Sequence, residues 1–245
     1  MSRIALLLPT ALLVVTTSID AHAQTTAAHV VAGIQARYAL TTDIKGKFKQ
    51  TFRDSLYNAK RVSYGYMYAK RPSMARWEYV KPSQKAFITN GRRLWVWVKQ
   101  HRQVFVSRFP AGANAALSFM LGSAALSRQY TAAIATGKLA QIAKPGDIAL
   151  QLTPRIATAT YQHAVLSVNA RTFQITRVAL VNNQSENRFD LSQLQHNTRL
   201  SSARFNFAIP AGVRVIRSGA AQRPVAAPTQ QTPRSRSQKS TKPSH

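Results

Sequence analysis

Cysteine is absent from all 245 residues. That excludes disulfides, thiol nucleophiles, thiolate metal sites and a lipid-attachment cysteine behind a leader. Acid is nearly as scarce: 7 Asp and Glu stand against 34 Lys and Arg, for a formal net charge of +27. The acids beyond the first two dozen residues, Asp43, Asp54, Glu78, Asp147, Glu186 and Asp190, are scattered. Glu186 and Asp190 alone fall near each other, on one face of an expected strand, and a solvated pair explains them better than acid–base catalysis. His29, His101, His163, His196 and His245 are isolated, without ligand spacing. No G-x-S-x-G, phosphate-binding glycine loop or dinucleotide motif occurs. The expectation is a protein that is not an enzyme and has no metal and no cofactor. Long hydrophobic runs are missing as well, since the run from Ile4 to Val15 is interrupted by Pro9 and too short to span a bilayer.

What is present divides the chain in three. Arg3, the short apolar run and Ala21-His22-Ala23 read as a secretory signal over residues 1–23, so the mature chain is expected to begin near Gln24, exported and not anchored. Residues 217–245 are rich in Pro, Ser, Thr, Gln and Arg, hold no acid, and lack large apolar residues after Val225. Such a segment cannot bury enough surface to offset its ordering, and it reads as a disordered basic tail. Residues 24–216 are enough for one domain with a sizeable core. Without leader and tail, 27 basic residues still face 6 acidic ones. This field favours anionic partners, whether nucleic acid, lipid headgroups, lipopolysaccharide phosphates or acidic proteins, and export argues against nucleic acid.

Within the domain, Val30, Val31, Ile34 and Tyr38 recur at helical spacing, predicting one amphipathic helix over Ala27 to Ala39, weakened by Gly33. From Ile44 the period becomes two. Ile44, Gly46, Phe48 and Phe52 face one way and Lys45, Lys47, Lys49 and Arg53 the other, a strand wet on one side. Asn90-Gly91 predicts a hairpin between Ala86–Thr89 and Leu94–Val98, with Val104–Phe109 returning. Between Pro110 and Tyr130 alternation stops. Leu117, Met120 and Leu121 sit at helical spacing ahead of Gly122, a short apolar helical piece that has to lie over the sheet. Strand signals resume at 148–152, 164–168, 173–181, 188–194 and 204–208. The expected architecture is roughly ten antiparallel strands in a large curved sheet, with helices at the start and middle and the second of these as a lid.

The chain is organised around Tyr64 to Tyr79. Tyr64, Tyr66 and Tyr68 alternate with Gly65, Met67 and Ala69, and the same period carries Arg71 to the rim of the small, apolar face. Pro72 ends that strand, and a second one follows with Ala75, Trp77 and Tyr79 on one face. A strand of little side-chain volume beside one with a tryptophan makes a wall with room next to it. The aromatics among Lys and Arg fit cross-strand pairing better than a stacking platform for single-stranded nucleic acid.

Lys70-Arg71-Pro72, Trp77, Pro82, Asn90-Gly91-x-x-Leu94-Trp95 and Phe119-Met120-Leu121, with Phe48-x-Gln50 before them and Phe205-x-Phe207-x-x-Pro210-x-Gly212-Val213 after, resemble the LolA family of periplasmic lipoprotein carriers. The resemblance runs from about Ile34 to Val213. It implies an α+β, mainly β fold: an incomplete antiparallel β-barrel of about ten to eleven strands closed by a helical lid over an apolar cavity for acyl chains. On the family's pattern Phe48, Met67, Trp77, Tyr79, Leu117, Met120 and Leu121 line that cavity. Arg71 would latch the lid through backbone carbonyls of Leu121, Gly122 and Ser123. Implied partners are acylated lipoproteins, an inner-membrane lipoprotein-releasing transporter and an outer-membrane lipoprotein receptor, with no nucleic acid, the carrier being monomeric. Ala75 and Gly122-Ser123 stand where the family has bulkier residues. The alternative on this fold is a periplasmic lipid-binding or envelope-stress regulatory module.

Overall fold

The structure, a computed structural model, describes residues 26–109, 119 and 126–217. Helix α1, Ala27–Ala39, opens it, with the Thr26 hydroxyl accepting from the His29 amide. Such a cap satisfies one of the amides a helix start leaves bare. Its stripe of Val30, Val31, Ile34 and Tyr38 is buried as the spacing predicts. Twelve strands follow: β1 Asp43–Asp54, β2 Ala59–Lys70, β3 Met74–Lys81, β4 Lys85–Asn90, β5 Arg93–Val98, β6 Gln103–Arg108, β7 Tyr130–Ile134, β8 Asp147–Pro154, β9 His163–Asn169, β10 Ile175–Val181, β11 Ser185–His196 and β12 Arg214–Arg217.

They form one sheet in the order β12-β6-β5-β4-β3-β2-β1-β11-β10-β9-β8-β7, open because the end strands β12 and β7 do not pair with each other. Two meanders, β1 to β6 and β7 to β11, are thus joined at β1 and β11, where Phe48 lies opposite Leu191. At the β4–β5 hairpin Gly91 takes φ +88°, and the Asn90 side chain accepts from the amides of Arg92 and Arg93. That left-handed turn is what Asn-Gly supplies.

The sheet has more strands than expected, and it is antiparallel except where β12 runs parallel to β6. The two strands with no sequence signal, β7 and β12, are the short edges, largely exposed and built from small residues or from Val and Ile between arginines. Where a strand was expected at 204–208 there is a 3-10 turn, Ser202–Phe205. Phe205 and Phe207 are used instead as plugs: Phe205 is fully buried, and Phe207 packs against Trp97 with ring centroids 5.9 Å apart. β12 ends on Arg217, the residue at which the tail is expected to begin.

Side-chain alternation gives the sheet an inner and an outer face. On the inner face α1, with Phe119 and Leu126, covers Leu150, Leu152, Leu166, Val168 and Val178 of β8–β10. The outer face is covered at both ends. Leu139 and Ile142 pack on Val165 and Ala179, while Phe207, Val213 and Val215 pack on Ile88, Trp95 and Val104. Two covers explain why Ala164 to Val168 of β9 are all buried and do not alternate. Glu186 and Asp190 lie on the outer face in ion pairs, Glu186 with Arg53 and Arg188 and Asp190 with Arg177, instead of standing solvated.

Candidate functional site

The inner face of β1, β2, β3 and β11 carries the other apolar cluster. Met67 and Ala69 of β2, Ala75, Trp77 and Tyr79 of β3, Ile44 and Phe48 of β1, and Phe189 and Leu191 of β11 are all buried in it. Its centre is aromatic. The Phe48 ring meets Trp77 at 4.8 Å and Tyr79 at 4.9 Å between centroids, both edge-on, and Trp77 meets Phe189 at 5.4 Å. Edge-to-face rings at these separations add roughly 1 kcal/mol each beyond the area they bury. Burial pushes the Tyr79 phenol far up, so it stays neutral. Lys85 lies 4.6 Å over the Tyr79 ring, and burial lowers its ammonium pKa.

The room expected beside Gly65 is taken by Phe48. A Cβ on Gly65 would come within 2.7 Å of the Phe48 ring and would overlap the Glu78 carbonyl oxygen. A glycine there is what lets the ring pack this close to β2.

Arg71 sits at the end of β2, at the corner where this wall meets α1. Its Nη2 donates to the Tyr38 carbonyl at 2.6 Å and its amide to the Thr42 carbonyl at 2.9 Å. The last carbonyls of a helix lack intrahelical donors and carry its negative dipole end, so a guanidinium is favoured there on both counts. Around it the corner is tied tightly. Asn197 accepts from the Thr42 amide and donates to the Leu40 carbonyl. Asp43, 2% exposed, accepts from the Thr198 amide and hydroxyl and from the Arg199 amide. Burial alone would raise the Asp43 carboxyl, but these hydrogen bonds outweigh it and hold the group below the usual carboxylate range. Arg37 donates to the Thr172 carbonyl and the Gln174 side chain, and lies 3.5 Å from His196 Nε2. Burial first, and Arg37 second, lower the His196 pKa, with Asp43 opposing them. A depression of about 190 Å³ opens between Arg37, Leu40, Thr41, His196 and Asn197.

Of the residues singled out in the sequence, Phe48, Met67, Trp77 and Tyr79 come together, and Arg71 is at their rim. Leu117, Met120, Leu121, Gly122 and Ser123 lie outside the described residues. Within these, Arg71 binds the C-terminal end of α1. Sequence reasoning missed Tyr38 as that partner, since a main-chain acceptor leaves no signal. It also passed over Phe189 and Leu191, although their alternation within the expected 188–194 strand marks an apolar face.

The described residues thus form an open sheet, antiparallel but for β12, with α1 and an aromatic wall on its inner face and no group of three or more His, Asp or Glu placed to hold a metal. The model of a known family, outer membrane lipoprotein carrier protein LolA, matches residues 39–208, and the chain belongs to this family. It is 26% identical over 194 residues to the outer-membrane lipoprotein carrier protein of Alkalilimnicola ehrlichii, covering 77% of this chain and 84% of that one. The carrier protein of Chromobacterium violaceum is likewise 26% identical, over 77% of this chain and 88% of its own. Among solved structures, an uncharacterized conserved protein from Thermus thermophilus matches with a TM-score of 0.51 at 12% identity, over 78% of this chain and 99% of that one, a likeness of fold.

Proposed function

We propose that the chain is a periplasmic carrier that takes the acyl chains of lipoproteins against the inner aromatic wall and shuttles them from the inner to the outer membrane. It receives cargo from an inner-membrane lipoprotein-releasing transporter and delivers it to an outer-membrane receptor. Family membership supports the carrier role. The single observation that carries it to these residues is the wall of Phe48, Met67, Trp77 and Tyr79 with Arg71 at its rim, fastened to α1.

Magnitudes say why such a wall is needed. Keeping acyl chains from water is worth about 0.8 kcal/mol per CH₂, so a diacylated or triacylated cargo cannot cross the periplasm bare. Release there has no energy source, so the empty closed form has to compete with the loaded one. Arg71 supplies that competition: bonds of about 1 kcal/mol each, made when the latch is shut and lost when it opens, bias handover to a tighter receptor. Leu117, Met120 and Leu121 complete the cavity in this reading, and carbonyls of Leu121, Gly122 and Ser123 share the latch with Tyr38.

The test is the intact mass of the full chain recovered from periplasm under native conditions. Co-purifying lipoprotein with its acyl chains supports the proposal. A membrane regulator as sole partner, or free lipid alone, contradicts it.

A further inference from the structure

On the outer face, the covers leave a strip over β1 and β2 that is bare among the described residues. On one side Lys144 donates to the Leu191 carbonyl and Ile142 packs down. On the other, Lys70 donates to the Leu200 carbonyl and Arg204 stacks on Tyr68 at 4.5 Å. Between them Lys47 stands opposite Tyr66 and Lys49 opposite Tyr64. Both lysines are exposed, and the rings are 40% and 44% exposed. Val80 of β3, 42% exposed, continues the apolar part.

A row of cations on β1 thus lies beside a row of rings on β2, spaced by about 7 Å along each strand and about 5 Å between the two. Neither lysine has an ion pair among the described residues, and the acids beside them are engaged: Asp190, opposite Lys49, by Arg177, and Glu78, opposite Tyr66, by Arg76. The strip therefore offers unneutralised positive charge and amphipathic rings on a fixed, sheet-backed surface. Among the described residues, neither the core nor the ion-pair ladder uses it.

We propose that this strip, Lys47 and Lys49 beside Tyr64 and Tyr66, is a docking surface for anionic lipid bilayers. Charge complementarity selects negative headgroups, and the lysine stems let their ammonium groups reach phosphate while the chain lies on the surface. Tyrosines select a bilayer over a soluble polyanion, because a ring with an apolar body and a hydroxyl tip is suited to the headgroup boundary. A bare nucleic-acid strand would need ring faces free to stack, and the third tyrosine of the row, Tyr68, is covered by Arg204. The strip lies on the opposite face of the sheet from the aromatic wall, so docking and acyl binding do not compete for one surface. The inference stands apart from the carrier reading.

The experiment is co-sedimentation of the full chain with vesicles of phosphatidylglycerol and phosphatidylcholine against phosphatidylcholine alone, across a salt series. Binding to the mixed vesicles should fall as salt passes physiological strength, where the screening length is about 8 Å. Each lysine near an anionic surface is worth about fivefold in partitioning, so Lys47→Gln/Lys49→Gln should bind about 25-fold more weakly. Arg92→Gln/Lys99→Gln, with the same charge change at exposed positions elsewhere, should fall far less. Tyr64→Ser/Tyr66→Ser should weaken vesicle binding severalfold with the charge unchanged, and leave binding to heparin unaltered. Equal losses in the two charge variants would overturn the proposal by assigning binding to net charge. Unaltered vesicle binding by the tyrosine variant would overturn it in favour of a polyanion site.

Discussion

Over β8–β10 the inner face is aliphatic, and α1 lies directly on it: Val30, Ile34 and Tyr38 meet Leu150, Leu152, Leu166 and Val168 with essentially no exposure. Over β1–β3 and β11 the same face is aromatic, with Phe48 edge-on to Trp77 and Tyr79, Phe189 tilted against Trp77, and small residues Gly65, Ala69 and Ala75 among them. Aliphatic side chains interdigitate with a helix and fix it. Rings beside small residues make a wall of a different kind, which the carrier proposal assigns to acyl chains. One sheet thus backs two buried clusters of different chemistry, an aliphatic one under a helix and an aromatic one beside small residues. Arg71, bonded to the last turn of α1 from the end of β2, is the joint between them.

The sharpest way to break this comparison is to truncate one residue in each half. Leu166→Ala in the sealed half should cost about 3 kcal/mol, read as a lower urea midpoint, by loss of buried methyls and the cavity left behind. It should not change the affinity of the folded protein for a fluorescent acyl probe. Trp77→Leu, apolar for apolar, should cost less stability, about 1.5 kcal/mol, yet weaken the probe about tenfold. If both variants behave alike, the two halves are one core.

Asp43 tests the corner where the halves meet. Asp43→Asn replaces an acceptor oxygen by an amide facing backbone donors, and should cost about 2 kcal/mol at neutral pH. The sign of the pH effect follows from the lowered carboxyl. Its contribution is complete above the ordinary value of about 4 and is lost as pH falls through the lower folded value. His196 acts earlier. Held neutral by burial and Arg37, it makes the unfolded chain the better proton acceptor, so stability should decline as pH drops below about 6.5. Urea midpoints across pH should show both windows, and His196→Gln should remove the upper one alone.

A smaller effect sharpens how α1 is held. Gly33 is a poor helix former, and alanine would be favoured by about 1 kcal/mol on propensity. Yet a Cβ there would overlap the Phe173 ring, so Gly33→Ala should lower the thermal midpoint instead of raising it.

Much of this was legible beforehand because it is local. The stripe of α1, the Met67–Ala69 and Trp77–Tyr79 faces and the Asn90-Gly91 hairpin each rest on period or turn chemistry within a few residues. What escaped is long-range. The β1–β11 pairing that brings Phe189 and Leu191 to Phe48 joins segments far apart in the chain, and no period reports it. Edge strands β7 and β12 bury too little to alternate. Phe205 and Phe207 alternate like a strand but plug the outer face instead. Gly33 reads as a weak point in the helix and Gly65 as part of a face of little volume, and each proves to be the space a neighbouring ring occupies.

The central claim, that Arg71 joins a fixed helix to an acyl-binding wall and so drives release, is tested most directly by Arg71→Leu. Leucine suits the apolar face of Met67 and Ala69 and removes the donor to Tyr38. The measurement is transfer of acylated lipoprotein from purified, loaded protein to acceptor membranes containing the outer-membrane receptor. The account predicts normal loading and failed transfer, because the empty closed form no longer regains its bonds. Normal loading with normal transfer would contradict it, leaving Arg71 a structural tie and the latch without a basis.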